Sequence, residues 1–366
     1  MLDFTSALYL GFAHPSASLG SWRALTLGRP AALQDPPCSH RLTEGLANLT
    51  GAPACLLFPS TLHLFRDLFA AIVQKETTLL VDAGAYPIVR WGTERAQLRG
   101  TTMATYPHHD TAALARLARR AFRAGLRPTV ITDGLCPACG RLAPLPELAR
   151  IAADYGGSLV VDDTQAMGIV GAPTIGNAAP LGVGGGGTLA CYGLKAPHVW
   201  VGSSLAKGFG APLAVLLGAK TTLDDIAREG ESRIHASPPS VAAIAAATRA
   251  LAENATSGDL LRARLMRRVT QLRDGLARIG ARMLASLPLP VQMIALATKQ
   301  ATRAALAVLE ARDIRALATR TCAGGVALAI ILTARHAAAD IDRLLDALAP
   351  VLRSNAHLEP IGVAVT

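Results

Sequence analysis

SLVVDDTQAMG, residues 158–168, holds three consecutive large apolar residues between a small polar residue and a pair of carboxylates. A short apolar run without polar alternation reads as a strand buried on both faces, as in a parallel sheet. Asp162 then falls at the C-terminal edge of that strand, where open α/β sheets bind their ligands. Taken alone, an aspartate ending a strand is more often a helix cap or a loop residue. Its weight comes from what surrounds it.

Working outward, short apolar runs alternate with helix-like stretches between about residue 40 and residue 235. Expected strands are Ala54–Phe58, Thr78–Asp82, Pro128–Asp133, Ser158–Asp162, Val199–Gly202 and Leu213–Leu217, with helices over Ala112–Ala124 and Leu145–Tyr155. This alternation predicts βα units in a mostly parallel α/β/α sheet domain. Pro238 and Pro239 punctuate the chain before an Ala-rich helical stretch from Val241 to about Ile279. Beyond it, Leu289–Leu296, Thr302–Ala311, Val326–Leu332 and Ala337–Leu348 read as strand, helix, strand, helix, a smaller α+β domain. The expected division is 1–39 joining the small domain, 40–238 as the large domain, 239–282 as connecting helices and 283–366 as the small domain. The glycine run Gly184–Gly187 reads as a flexible surface loop.

VGSSLAKGFGAP, residues 201–212, offers a second chemical group. A lysine is ordinarily a solvated surface residue. Lys207 stands among small, uncharged residues, so its ammonium is expected in a partly desolvated turn that lowers its pKa toward nucleophilic competence. Ser203 and Ser204, just upstream, could bond a phosphate.

With 51% hydrophobic and 17% charged residues, the chain is globular and not disordered. Its apolar stretches are shorter than the ~20 residues of a spanning helix, and the N-terminus does not read as a secretion signal. No membrane association and a cytoplasmic location are expected. The net charge of +10 comes largely from arginines spread over helical segments, without a dense basic block carrying aromatics. Nucleic acid is therefore not expected, and acidic small molecules or an acyl group on a phosphorylated carrier suit the charge as well. Cys136 and Cys139 have C-x-x-C spacing, but no second such pair or His pair follows, so no metal is expected.

Together the two segments carry a specific resemblance. The chain resembles the fold-type I enzymes that depend on pyridoxal 5'-phosphate (PLP), and among them the α-oxoamine synthases. The likeness runs through DFTSALYLGFAHP (3–15), LANLTGAPACLLFPS (46–60), YPHHDTAAL (106–114), the segment 133–171, SSLAKGFGAP (203–212), SPPSVAAIAAA (237–247) and LTARHAAADIDRLLDAL (332–348). It implies that Lys207 is the Schiff-base lysine, that Asp162 pairs with the pyridine nitrogen, and that Ser204 contacts the cofactor phosphate. Ser60, Thr61 and Leu62 occupy the turn whose amides bind the same phosphate. Tyr86 stands where these synthases stack a histidine on the ring, and an aromatic ring stacks as well. Gln165 replaces a histidine that bonds the ring hydroxyl, and Pro137 replaces a serine sharing that contact. The resemblance also implies a homodimer with shared sites, in which His235–Ser240 approaches the other subunit's phosphate; alternatively, Pro238 and Pro239 simply start a helix.

Two departures concern the substrate. The synthases' Arg-Leu-Arg near the C-terminus is Ala327-Leu328-Ala329, and the asparagine near the N-terminus is Ala7. A bidentate arginine fixes both the position and the charge of a carboxylate, so its loss points away from a small free amino acid. The alanines are expected to leave room for a bulkier amine, unless Arg320 or Arg335 takes over the carboxylate. The leading expectation is a PLP-dependent acyltransferase joining an amine-bearing small molecule to an acyl-CoA or acyl-carrier thioester. Aminotransfer or other carbanion chemistry is the alternative, followed by a binding protein without turnover.

Overall fold

The computed structural model describes residues 1–177, 179–322 and 324–355. They divide into two compact units. The larger comprises Phe12–Leu135 and Leu142–Asp259; the smaller comprises Met1–Gly11, Cys136–Arg141 and the chain from Leu260 onward.

The larger unit is built on seven strands: β1 (Ala54–Phe58), β2 (Thr77–Asp82), β3 (Thr102–Tyr106), β4 (Arg127–Asp133), β5 (Ser158–Asp162), β6 (Val199–Ser204) and β7 (Ala214–Gly218). Their spatial order is β1-β7-β6-β5-β4-β2-β3. β7 runs antiparallel to both of its neighbours, while β6, β5, β4, β2 and β3 are mutually parallel. Strands covered on both sides need no polar face, and β2 and β7 are buried throughout. The parallel strands end together at one sheet edge.

Helix α1 (Thr61–Ile72) follows β1 directly and packs on the sheet. Its apolar residues Leu64, Phe65, Leu68 and Phe69 recur at helical spacing and are 0–1% exposed. Burying four such side chains contributes up to ~6–12 kcal/mol. Ser60 makes no side-chain cap to this helix, a deficit worth ~1 kcal/mol. Packing therefore decides that α1 forms, and its first amides stay available. The buried Asp67 on the same helix accepts from both the amide and the hydroxyl of Ser232, fixing the helix from its side.

Two further helices, α2 (Thr111–Arg123) and α3 (Leu145–Asp154), flank the parallel strands. The Asp110 side chain caps α2 by accepting from the amide of Ala113. The 38-residue helix α4 (Val241–Arg278) begins right after Pro238 and Pro239, and Ser240 Oγ accepts from the amide of Ala243 at its start. The two prolines are buried, and the segment does start a helix as one of its two readings had it.

The glycine run is not a surface loop. Gly185, Gly186 and Gly187 are buried, and a short helix, Gly187–Tyr192, follows at once. A Cβ on Gly186 would lie 2.3 Å from the Leu49 carbonyl oxygen, and one on Gly187 2.1 Å from Asp163 Oδ2. Glycine is there for close approach, which local composition does not distinguish from flexibility.

The smaller unit holds a four-stranded antiparallel sheet of β8 (Arg282–Met283), β9 (Val291–Ala295), β10 (Leu317–Arg320) and β11 (Val326–Ile331), in the order β8-β9-β11-β10. Helices α5 (Lys299–Glu310) and α6 (Ala338–Asn355) complete its α+β character. Ala327 and Ala329 point into an apolar cluster with Met293, packed by Leu284 and Val291, and are 0% and 2% exposed. The expected room beside them is absent, because neighbouring apolar side chains close over the two short residues.

Candidate active site

Three strands of the larger unit end in aspartates along one sheet edge: Asp82 on β2, Asp133 on β4 and Asp162 on β5. Asp133 and Asp162 are direct register partners, 7% and 6% exposed. Asp82 resists its burial by accepting from His108 Nδ1 at 2.6 Å and from the amides of His109 and Gly84; these contacts hold its pKa below the ordinary value. Asp133 has less support. Its Oδ1 accepts the Tyr86 amide at 3.0 Å, but burial and the facing Asp162 push its pKa well up. Burial raises Asp162 too, offset in part by Thr164, whose amide donates to Oδ1 at 3.0 Å, and by the charge of Lys207. Two neighbouring buried carboxylates thus share little positive charge, a setting that favours a bound cation.

Lys207 is half-buried in the turn after β6. Burial lowers its pKa, while Asp162 and Asp133 work in the opposite direction. The turn is held against the loop that follows Asp162 by two glycines. A Cβ on Gly168, which has φ +87°, would lie 3.0 Å from Gly208 Cα, and one on Gly208 would lie 2.2 Å from the Met167 carbonyl oxygen. Thr164 adds a second tie, its hydroxyl oxygen accepting the Ser204 amide at 3.0 Å. One loop therefore connects the carboxylate of Asp162 to the backbone on both sides of Lys207. Gln165 lies in the same loop, half-buried.

Directly behind this loop, Asp163 is fully buried and accepts from the amide and the hydroxyl of Thr188. Burial raises its pKa to about 7.

The N-terminus of α1 lies at the same edge. Gly202 on β6 makes this possible: a Cβ there would come within 2.7 Å of the Phe65 ring and 2.8 Å of Leu64. Ser60 Oγ bonds His63 Nδ1 at 2.8 Å instead of capping the helix. The first-turn amides of Thr61, Leu62 and His63 have no intrahelical acceptors, and together with the helix dipole they suit an anion. Ser204, at the end of β6, adds a hydroxyl whose oxygen accepts the Ala206 amide at 3.3 Å and whose proton is left to donate. Tyr86 projects its ring, 53% exposed, from the segment anchored by Asp133.

Asp162, Gln165, Ser204, Lys207, Ser60, Thr61, Leu62 and Tyr86 thus share one unit and one sheet edge. The donor set fits PLP. Helix amides and a serine hydroxyl suit the phosphate, paired carboxylates suit a protonated pyridine nitrogen, and an amine of lowered pKa suits the aldehyde. Asp133, Asp82 and His108 were not singled out from sequence, although VITD and TLLVD end in aspartate just as SLVVD does. Ala7, Pro137, Ala327 and Ala329 belong to the smaller unit. Arg320 and Arg335 are exposed there, Arg335 lying over Gly11, whose φ is +76°.

Comparison with known proteins follows the same line. The aminotransferase class I and II family model matches residues 22–348. An 8-amino-7-oxononanoate synthase of Stutzerimonas stutzeri is 31% identical over 362 residues, covering 95% of this chain and 87% of its own. The enzyme of that name from Methylococcus capsulatus is 32% identical, covering 97% and 90%. Among solved structures, a Sphingomonas wittichii serine palmitoyltransferase superposes with a TM-score of 0.83 at 17% identity, covering 97% of this chain and 88% of its own. An 8-amino-7-oxononanoate synthase from Francisella tularensis gives 0.75 at 17% identity, covering 97% and 99%.

Proposed function

This chain belongs to the aminotransferase class I and II family, and within it we propose that it is a PLP-dependent α-oxoamine synthase, an acyltransferase condensing an amine-bearing substrate with an acyl thioester. The curated relatives, which align along nearly the whole chain, carry names of this reaction class. The observation that carries the reading is the tie between Asp162 and Lys207 through the loop Thr164–Gly168.

When bound, PLP supplies an electron sink for a carbanion at the amine-bearing carbon. The chain's own residues account for the rest. Lys207 keeps its amine uncharged more readily than a solvated lysine, so Nζ would hold the cofactor's aldehyde group and is placed to accept or return a proton. Asp162 holds the ring nitrogen in its protonated, electron-withdrawing form, and burial strengthens that charge pairing. The amides of the Ser60–Thr61–Leu62 turn with the Ser204 hydroxyl would hold the phosphate. Tyr86 would stack on the ring face and Gln165 would bond the ring hydroxyl without adding charge.

The same reading takes the partners to be a small amine and an acyl-CoA or acyl-carrier thioester, in a homodimer working in the cytoplasm. Among the described residues no helix is long and apolar enough to cross a membrane.

The test is to give the purified protein PLP, an amine donor and acyl-CoA, and to follow release of free thiol. Thiol release that requires both substrates is the expected result. Conversion of the amine to a keto compound, indifferent to the thioester, would replace condensation by aminotransfer.

A further inference from the structure

The smaller unit gathers chemistry that the proposed reaction does not use. Cys136 and Cys139 lie in its segment Cys136–Arg141, and Cys322 lies in the turn between β10 and β11, 186 residues from Cys136 in sequence. Cys136 and Cys322 bring their sulfurs to 3.3 Å, and the ligand atoms of all three lie within 4.8 Å of one another. The C-x-x-C pair lacked further ligands when read along the chain; folding supplies a third thiol.

The segment is shaped for this. Gly140 follows the second cysteine with φ +62°, and its amide donates to the Cys136 carbonyl at 2.9 Å, curling C-P-A-C-G into a tight turn. That turn is pinned within the unit: the Gly140 carbonyl accepts from Ser286 Oγ at 3.0 Å, and a Cβ on Gly140 would lie 2.7 Å from that of Ala285. No side chain but glycine's leaves space there. Arg141 is hydrogen-bonded to Cys139, with the other two sulfurs in its electrostatic reach.

We propose that Cys136, Cys139 and Cys322 form a thiolate site for a zinc(II)-class metal ion. Two thiolates on ~2.3 Å bonds to a tetrahedral metal stand ~3.8 Å apart, a separation bracketed by the distances here. A disulfide would join only two of the three sulfurs and leave their convergence unexplained. Three thiolates around a divalent cation carry a net negative charge, which the Arg141 guanidinium balances. Three proton-bearing thiols release their protons to solvent as the ion binds, and a fourth ligand completes the tetrahedron. The ion would clamp the turn between β10 and β11 to the segment Cys136–Arg141.

The test uses the full-length protein, purified with reductant, in competition with a chromophoric chelator for zinc(II), and a parallel cobalt(II) titration read by thiolate-to-metal charge-transfer absorption. Expected are one ion per chain, an affinity lowered at least ~100-fold in Cys322→Ser, and unchanged binding in Cys38→Ser, whose thiol is exposed and outside the cluster. Cys322 is itself exposed, so its replacement spares the core; zinc should raise the thermal midpoint of the parent chain and not that of Cys322→Ser. Failure of the reduced parent chain to compete for zinc, equal binding by Cys322→Ser, or a Cys136–Cys322 disulfide as the only reaction of the cluster would each overturn the proposal.

Discussion

Asp133 and Asp162 face each other across neighbouring parallel strands, buried and in register, and the charge of Asp162 makes that of Asp133 harder to hold. Asp162 has Thr164 and the Lys207 charge to offset its burial, whereas Asp133 is pushed well up despite the Tyr86 amide. The pair should therefore act unequally. Asp162→Asn removes the partner of the ring nitrogen while Asp133 remains to hold Tyr86, so the fold should persist and turnover should fall ~10²–10³-fold. Circular dichroism together with thiol release checks both halves; full turnover in this variant would remove Asp162 from its assigned role.

Lys207→Ala should abolish covalent capture of PLP. After borohydride reduction and denaturation, the parent chain should keep the cofactor on Lys207 and the variant should lose it, with activity down at least ~10³-fold. Mass spectrometry of the peptide spanning residues 201–212 reads this directly. Reductive labelling of another lysine in the parent chain would reassign the site.

Gly202→Ala tests the seat of α1. The added methyl meets Phe65 and Leu64, so stability should fall by ~1–3 kcal/mol in urea titration. Displacing α1 also moves its first-turn amides, and PLP affinity should weaken with it. Destabilisation without weaker PLP binding would separate α1 from the phosphate.

Asp163 makes stability depend on pH. Its folded pKa of about 7 lies above its unfolded value, so the folded chain binds the proton more tightly. The stabilisation is complete below about pH 4 and is lost as pH rises to about 7, a change on the order of 4 kcal/mol. Asp163→Asn cannot titrate, so the difference in unfolding free energy between parent and variant should shrink or reverse across that interval. A constant difference from pH 4 to 7.5 would rule out titration of Asp163.

Ala327 and Ala329, buried among apolar neighbours, offer no guanidinium where the synthases carry two. Glycine, L-alanine and L-serine should therefore bind no more tightly than their methyl esters in spectral titrations of the PLP-loaded protein. A strong preference for the free acids would reveal another cation in the substrate pocket.

The strands of the large sheet were legible because burial on both faces writes continuous apolar runs, and β1, β4 and β5 lie within a residue of where those runs place them. Lys207 could be singled out because it is an isolated cation among small, uncharged residues, and the structure half-buries it at the edge that carries Asp162. Asp133 was not, because a strand-ending aspartate is informative only once its neighbour is known, and its neighbour Asp162 comes from a later strand. Gly185–Gly187 misled for a related reason: glycine serves mobility and close packing alike, and only the Leu49 carbonyl and Asp163 distinguish them. The expected room beside Ala327 and Ala329 failed because small residues open space only where neighbours do not move in.

β1 is an edge strand whose ladder partner, β7, is made more than 150 residues later, Phe58 pairing with Ala214. During synthesis the strand that joins β1, and with it the start of α1, to β6 is the last of the seven to emerge. The phosphate cradle and the lysine turn, which lies just before β7, thus reach their final positions in one late event. A nascent chain stopped short of Ala214 would carry every residue of the cradle without the strand that joins β1 to β6.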